Sequence, residues 1–192
     1  MNLSEYLAKN PKKYLIFDFD ETIAKLEMDW SHYFSEMGLL YKKFDPSCQH
    51  VAFSEFEGCN DFVRKYGQKV SPLIRAATQD YEKKFNHGLT PYPELVEFIK
   101  NVQGYELSVY SSNSRQTVLK GLAELGLIDK FEQIVSRDEV TYIKPDPDGF
   151  SLIYDPTTAK EDYLMIGNSS ADKGMAEAVG IDFFLAEYFR PI

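Results

Sequence analysis

The sequence predicts an α/β fold, a parallel sheet flanked by helices, with a small all-helical domain inserted after the first strand. Three observations lead there. Short apolar, β-favouring runs alternate with amphipathic helical stretches, the order that builds a parallel sheet with right-handed crossovers. The stretch from about Ala24 to Gly88 breaks that rhythm and reads as helix throughout. The strand-like runs end in aspartate, serine and asparagine, where ligands of such sheets bind.

The first strand is the apolar run Tyr14-Leu-Ile-Phe17, which leads directly into Asp18-Phe-Asp-Glu-Thr22. Side chains alternate along a strand, so Asp18 and Asp20 point one way while Phe17 and Phe19 point the other. Within the helical insert, Leu26, Trp30, Tyr33, Phe34, Met37 and Leu40 recur at helical spacing. A second helix near Asp61–Tyr66 turns Phe62, Val63 and Tyr66 inward. A third opens at Ser71-Pro72, a cap followed by a first-turn proline, and carries Leu73, Ala77, Tyr81 and Phe85.

The chain returns through Thr90-Pro-Tyr-Pro93 to a helix bearing Leu95, Val96, Phe98 and Ile99. A second strand, Tyr105–Ser111, precedes Ser112-Asn113-Ser114 and a helix with Val118, Leu119, Leu122 and Leu125, stopped by Gly126. Gln133–Ser136 is a weaker strand. Tyr163–Gly167 then leads through Asn168–Asp172 into a helix ended by Gly180, and Asp182–Leu185 is the last strand. The expected domains are an α/β core of residues 1–23 and 89–192 and a helical cap of residues 24–88.

The 192 residues carry a net charge of −9, which argues against a nucleic-acid backbone as the main partner. No apolar run is long enough to predict a membrane span, and the N-terminus lacks the basic-then-apolar order of a signal peptide. Cys48 and Cys59 are too few for a disulfide framework, and with His32, His50 and His87 they make a poor zinc set. A reducing cytoplasm is the expected location.

Asp18, Asp20, Ser112, Asn113, Asn168 and Asp172 all fall at carboxyl ends of strands, and Lys144 precedes a proline that holds it extended. Paired carboxylates, a hydroxyl, a lysine and a further Asn/Asp pair suit phosphoryl transfer. One carboxylate can serve as nucleophile and another as acid and then base. Magnesium takes hard oxygen ligands and offsets the repulsion between carboxylate and phosphate. Blander roles stand beside these: Ser112 as a helix cap, Lys144 as a solvated loop lysine, Asp172 as a first-turn helix acid.

The order Asp18-x-Asp20-x-Thr22, then Ser112-Asn113, then Lys144-Pro145, then Gly167-Asn-Ser-Ser-Ala-Asp172 resembles the haloacid dehalogenase-like (HAD) hydrolase superfamily. The resemblance covers nearly the whole chain, helical cap included. It implies a Rossmann-like core and a phosphatase that hydrolyses a small phosphorylated metabolite. Asp18 would form an aspartyl-phosphate, and Asp20 would protonate the leaving group, activate water and lend its backbone carbonyl to magnesium. Thr22 would support the aspartate loop, Ser112 and Asn113 would bind the phosphoryl group, and Lys144 would pair with Asp18 and the phosphate.

One departure matters. The family's last motif usually begins Gly-Asp, and here it is Gly167-Asn168. The expected metal ligands are therefore Asp18, Asp20 and Asn168, with Asp172 compensating directly or through a water. A second reading keeps the fold but loses turnover, leaving a phosphate-ligand or protein-binding regulatory module. Arg64, Lys65 and Arg75 are candidates for a second anionic group or else solvated helix faces. His32 either lines the cleft or is a satisfied, partly buried histidine.

Overall fold

The computed structural model describes residues 2–47 and 57–189; Cys48 and His50 lie outside the described residues. In chain order the elements are α1 (Leu3–Lys9), β1 (Tyr14–Phe17), β2 (Ala24–Leu26), α2 (Trp30–Phe44), α3 (Glu57–Tyr66) and α4 (Ser71–Phe85). There follow β3 (Leu89–Pro91), α5 (Pro93–Asn101), β4 (Glu106–Tyr110), α6 (Arg115–Glu124), β5 (Gln133–Val135) and α7 (Phe150–Ile153). The chain closes with β6 (Tyr163–Gly167), α8 (Ser170–Val179) and β7 (Asp182–Leu185).

Five strands form one parallel sheet in the order β5-β4-β1-β6-β7. The chain moves from β1 outward through β4 and β5, then crosses back to the other side of β1 for β6 and β7. The winding direction reverses at β1, which makes the carboxyl end of β1 the natural ligand crevice. Strand alternation divides the core between the two faces. Leu15 and Phe17 join Leu107, Val109, Leu164 and Ile166 on one side, under α1, α5 and α6. Ile16 joins Tyr110, Tyr163 and Met165 on the other, under α7 and α8. Both faces are covered, so these strands read as continuous apolar runs.

Between β1 and α5 the chain makes a separate helical unit. Tyr33, Met37, Tyr41, Phe62, Val63, Val70, Ile74 and Tyr81 form its own buried cluster. Its inward face on α4 is Ile74, Thr78, Tyr81 and Glu82, whereas Leu73, expected to face inward, is 47% exposed. The expectation of helix from Ala24 onward also needs correction. Residues 24–26 are β2, paired antiparallel with β3 through Ala24–Pro91, Lys25–Thr90 and Leu26–Leu89. Backbone bonds from His87 N–H to Glu27 O and from Glu27 N–H to Gly88 O extend this ribbon. The chain thus enters and leaves the helical unit through two adjacent strands. No helix among the described residues is long and apolar enough to cross a membrane.

Candidate active site

The carboxyl ends of β4, β1 and β6 bring the predicted residues to one place. Asp18 follows β1 directly, and its backbone N–H donates to Ile166 O at 2.9 Å, which continues the parallel pairing with β6. Phe19 turns into the core and is fully buried, anchoring the loop between the two aspartates. Thr22 is also buried and donates from its hydroxyl to Asp18 Oδ2 at 3.2 Å, with Asn168 Oδ1 at 3.4 Å. Asp20 Oδ1 accepts from the Leu26 N–H at 2.7 Å, so this carboxylate leans on the first strand of the ribbon.

Lys144 is 2% exposed, which removes the solvated-loop reading. Its ammonium donates to Asp18 Oδ1 at 2.7 Å, to the Tyr110 carbonyl at 2.8 Å and to Asp172 Oδ1 at 2.5 Å. An ammonium has three protons, and these contacts use all of them. Burial works against its charge, but the Asp172 and Asp18 carboxylates outweigh it and hold Lys144 above the usual ammonium range. Burial pushes the Asp18 carboxyl up to about 6 against the pull of Lys144, with Asp172 adding to the rise. Asp20 goes further, to about 8, chiefly through burial; the Leu26 N–H opposes this, and Asp18 and Glu21 add to it. Near neutral pH the first carboxyl is thus mainly ionised and the second mainly protonated, a division that separates a nucleophile from an acid.

Ser112 does not cap the helix that follows; Ser114 does, accepting from Thr117 N–H. Among the described residues only Ser112 Oγ and Asp138 Oδ1 are buried side-chain polar atoms without a hydrogen bond. A buried unsatisfied hydroxyl costs ~1–3 kcal/mol, so Ser112 Oγ is placed for an incoming acceptor. Asn113 is buried, with Oδ1 accepting from Ser111 Oγ at 2.9 Å and Nδ2 donating to Glu82 Oε1 at 3.3 Å. Asp18, Asp20, Ser112, Asn113, Lys144 and Asn168 line a single cavity of about 210 Å³.

Asp172 is the exception, and the expectation that it ligates a metal needs correction. It is fully buried and does not line the cavity. Its Oδ2 accepts from Ser169 Oγ at 2.6 Å, Ser169 N–H at 3.0 Å and Asn168 N–H at 3.2 Å, and its Oδ1 takes Lys144. It completes the reciprocal cap at the start of α8 and fixes Lys144. Gly167 makes room for it: a Cβ on Gly167 would lie 2.4 Å from Asp172 Cγ.

A divalent ion fits what remains. Among the described residues no three His, Cys, Asp or Glu side chains cluster to hold a metal. Magnesium, however, binds through one or two carboxylates together with water and phosphate oxygens. Asp18, Asp20 and Asn168, which line the cavity, carry oxygen donors of the kind that could hold such an ion.

Several supporting residues are not apparent in the sequence. Glu82, on α4 of the helical unit, is 1% exposed and accepts from Asn113 Nδ2, from Ser114 N–H and from Ser114 Oγ. Asn60, on α3, exchanges two bonds with the Ile143 backbone beside Lys144, at 2.6 and 2.9 Å. Arg137 is buried and donates from Nε to Ser112 O at 2.7 Å. Arg64 instead pairs with Asp61 and Asp146, Lys65 with Asp45, and Arg75 donates to Val140 O. His32 Nδ1 lies 3.0 Å from the Tyr81 hydroxyl and its ring does not line the cavity.

A family model described as haloacid dehalogenase-like hydrolase matches residues 15–186. A curated relative, Pyrophosphatase PpaX from Halalkalibacterium halodurans, is 33% identical over 116 residues; the match spans 59% of this chain and about half (54%) of that relative. Among solved structures, a haloacid dehalogenase-like hydrolase from Bacteroides fragilis superposes with a TM-score of 0.62 at 22% identity, covering 90% of this chain and 86% of that one. The HAD-hydrolase YfnB from Bacillus subtilis, solved bound to magnesium, superposes with a TM-score of 0.52 at 20% identity, covering 90% and 85%.

Proposed function

The chain belongs to the haloacid dehalogenase-like hydrolase family, and on that premise we propose that it is a magnesium-dependent phosphatase acting on a small phosphorylated metabolite. The observation that carries this is the shared cavity. Two carboxylates, a buried lysine and an unpartnered serine hydroxyl face a space small enough for a phosphate ester.

In this reading an Asp18 carboxylate oxygen attacks phosphorus, and the bond from phosphorus to the ester oxygen breaks. Asp20 gives its proton to that departing oxygen, which leaves as an alcohol, and Asp18 holds the phosphoryl group as an acyl phosphate. Water then attacks phosphorus, Asp20 takes the water's proton, and inorganic phosphate leaves with both carboxyls restored. Lys144 orients Asp18, and Thr22 holds its other oxygen. The Ser112 hydroxyl donates to a phosphoryl oxygen, and Asn113 shapes the wall beside it. Asp18, the Asp20 carbonyl and Asn168 would hold magnesium, which would offset negative charge on the phosphoryl oxygens. Residues 1–23 and 89–192 serve as the catalytic core and residues 24–88 as the cap that excludes water.

The test is hydrolysis of an aryl phosphate with and without magnesium, abolished by Asp18→Asn. Asn168 favours one other reading, a regulatory module that binds phosphate without turnover, because an amide brings no charge to the metal. No hydrolysis with any divalent ion, together with retained binding of inorganic phosphate, would support that reading instead.

A further inference from the structure

We infer that this cavity takes phosphomonoesters whose leaving group is small, uncharged and apolar or aromatic, and that it discriminates against a second anionic group next to the scissile phosphate. The inference rests on the phosphatase reading and concerns the substrate of that same site.

Beyond the residues that grip the phosphate and the metal, the cavity wall is Trp30, Phe34, Glu21, Ser169 and Ala171. Trp30 and Phe34 stand four residues apart on α2 and therefore share a face, with ring centroids 6.4 Å apart. Glu21 follows the second aspartate, and its Oε2 accepts from the Tyr92 hydroxyl at 2.6 Å. The leaving group thus meets two aromatic side chains and a carboxylate, with Ser169 and Ala171 completing the wall.

Among the described residues, Lys144 is the one cation lining the cavity. All three of its protons are committed to Asp18, Tyr110 O and Asp172, so it has no donor for a second anion. The cap's arginines and Lys65 bind elsewhere, as described above. Residues 48–56 include no lysine or arginine. A terminal phosphate or carboxylate on the leaving group would lose its hydration with no side-chain cation beyond Lys144 in exchange, and would share the cavity with the Glu21 carboxylate, a like charge that repels it. An unpaired charge of this kind rejects a competing substrate more strongly than a missing apolar contact does. The volume of about 210 Å³ lies below the ~300–1,000 Å³ common for drug-sized ligands, which favours a small leaving group.

The experiment compares kcat/KM of the full chain, at one fixed magnesium concentration, for phenyl phosphate, inorganic pyrophosphate and phosphoglycolate. Phenyl phosphate is expected to lead both anionic competitors by at least tenfold. Glu21→Gln keeps an acceptor for Tyr92 and removes the charge, so the ratio of pyrophosphate to phenyl phosphate should rise at least threefold. Phe34→Ala should raise KM for phenyl phosphate at least fivefold without a matching change for pyrophosphate, whereas general loss of folded protein would depress every substrate alike. Pyrophosphate or phosphoglycolate turned over as well as phenyl phosphate would overturn the inference and leave the phosphatase reading standing. Turnover of none of the three, with wild type and Asp18→Asn alike, would overturn both.

Discussion

Gly167→Ala should disable the site from behind, through Asp172, which does not itself line the cavity. Gly167 ends β6 and has no positive backbone φ, so alanine meets no backbone strain there. The new methyl would fall 2.4 Å from Asp172 Cγ and 2.6 Å from its Cβ and Oδ2, all in a fully buried side chain. Contact at normal van der Waals distance requires a shift of about 1 Å or more, since close-packed carbons sit ~3.5–4.0 Å apart. That shift pulls Asp172 from four hydrogen bonds, one of them to the Lys144 ammonium.

Overpacking alone costs ~1–3 kcal/mol. Weakening a charge-assisted bond adds ~1.5–3 kcal/mol at full loss, less here because the bonds stretch rather than vanish. A loss of about 3 kcal/mol is the reasonable expectation from those two magnitudes. Unfolding entropy of ~2.1 cal/mol/K per residue gives about 0.4 kcal/mol/K for this chain, so Tm should drop by about 7 °C. The assay is calorimetry paired with kcat measured well below the new Tm, where kcat should fall at least tenfold because the displaced Asp172 draws Lys144 off its position against Asp18. Gly126→Ala is the control: Gly126 has φ +67° with open space around it, so it should lose only ~1–2 kcal/mol and keep its kcat. A Gly167→Ala variant with wild-type Tm and kcat would refute the reasoning.

Further outcomes follow from the same geometry. With Asp18 raised to about 6 and required ionised, and Asp20 raised to about 8 and required protonated, kcat/KM should rise with pH through the first value and fall through the second; Asp20→Asn should remove the basic limb, and a pH-independent profile in wild type would contradict the assignment. Asn168→Asp adds a negative charge to the cavity and should tighten magnesium binding at least tenfold, about 1.4 kcal/mol; calorimetric titration showing equal or weaker binding would rule this out. Glu82→Ala leaves Ser114 and the Asn113 amide without their buried acceptor. It should cost ~2–4 kcal/mol in chemical denaturation, since each buried donor left unsatisfied costs ~1–3 kcal/mol, and a change below ~1 kcal/mol would mean the contact between cap and core contributes little.

The sheet was legible because both of its faces are buried, which writes Tyr14–Phe17 and Tyr163–Gly167 as unbroken apolar runs. The ends of α6 and α8 were legible from Gly126 and Gly180, which adopt the left-handed conformation expected of helix stops. The ribbon strand Ala24–Leu26 was not, because its only signal is a partner 65 residues on. The seven-residue α1 was also unassigned, although Asn2 and Glu5 form a capping box at its start. In the site, residue type and order were enough to bring Asp18, Asp20, Ser112, Asn113, Lys144 and Asn168 together. They did not indicate which way each side chain turns. Asp172 could be written as a metal ligand or a helix acid from sequence alone; only its burial against Lys144 shows it serving the lysine and the helix. Asn60 and Glu82 were invisible for a related reason, since their partners lie 83 and 32 residues away on another part of the fold.

The central chemistry is tested most directly by trapping the acyl phosphate. Asp20→Asn with an activated aryl phosphate, whose leaving group needs no proton, should load the enzyme and stall before hydrolysis. Borohydride then reduces the acyl phosphate to an alcohol, so peptide mass mapping should find homoserine in place of the aspartate at position 18. Homoserine at another position, or none while aryl alcohol is released in a stoichiometric burst, would contradict the assignment of Asp18 as the nucleophile.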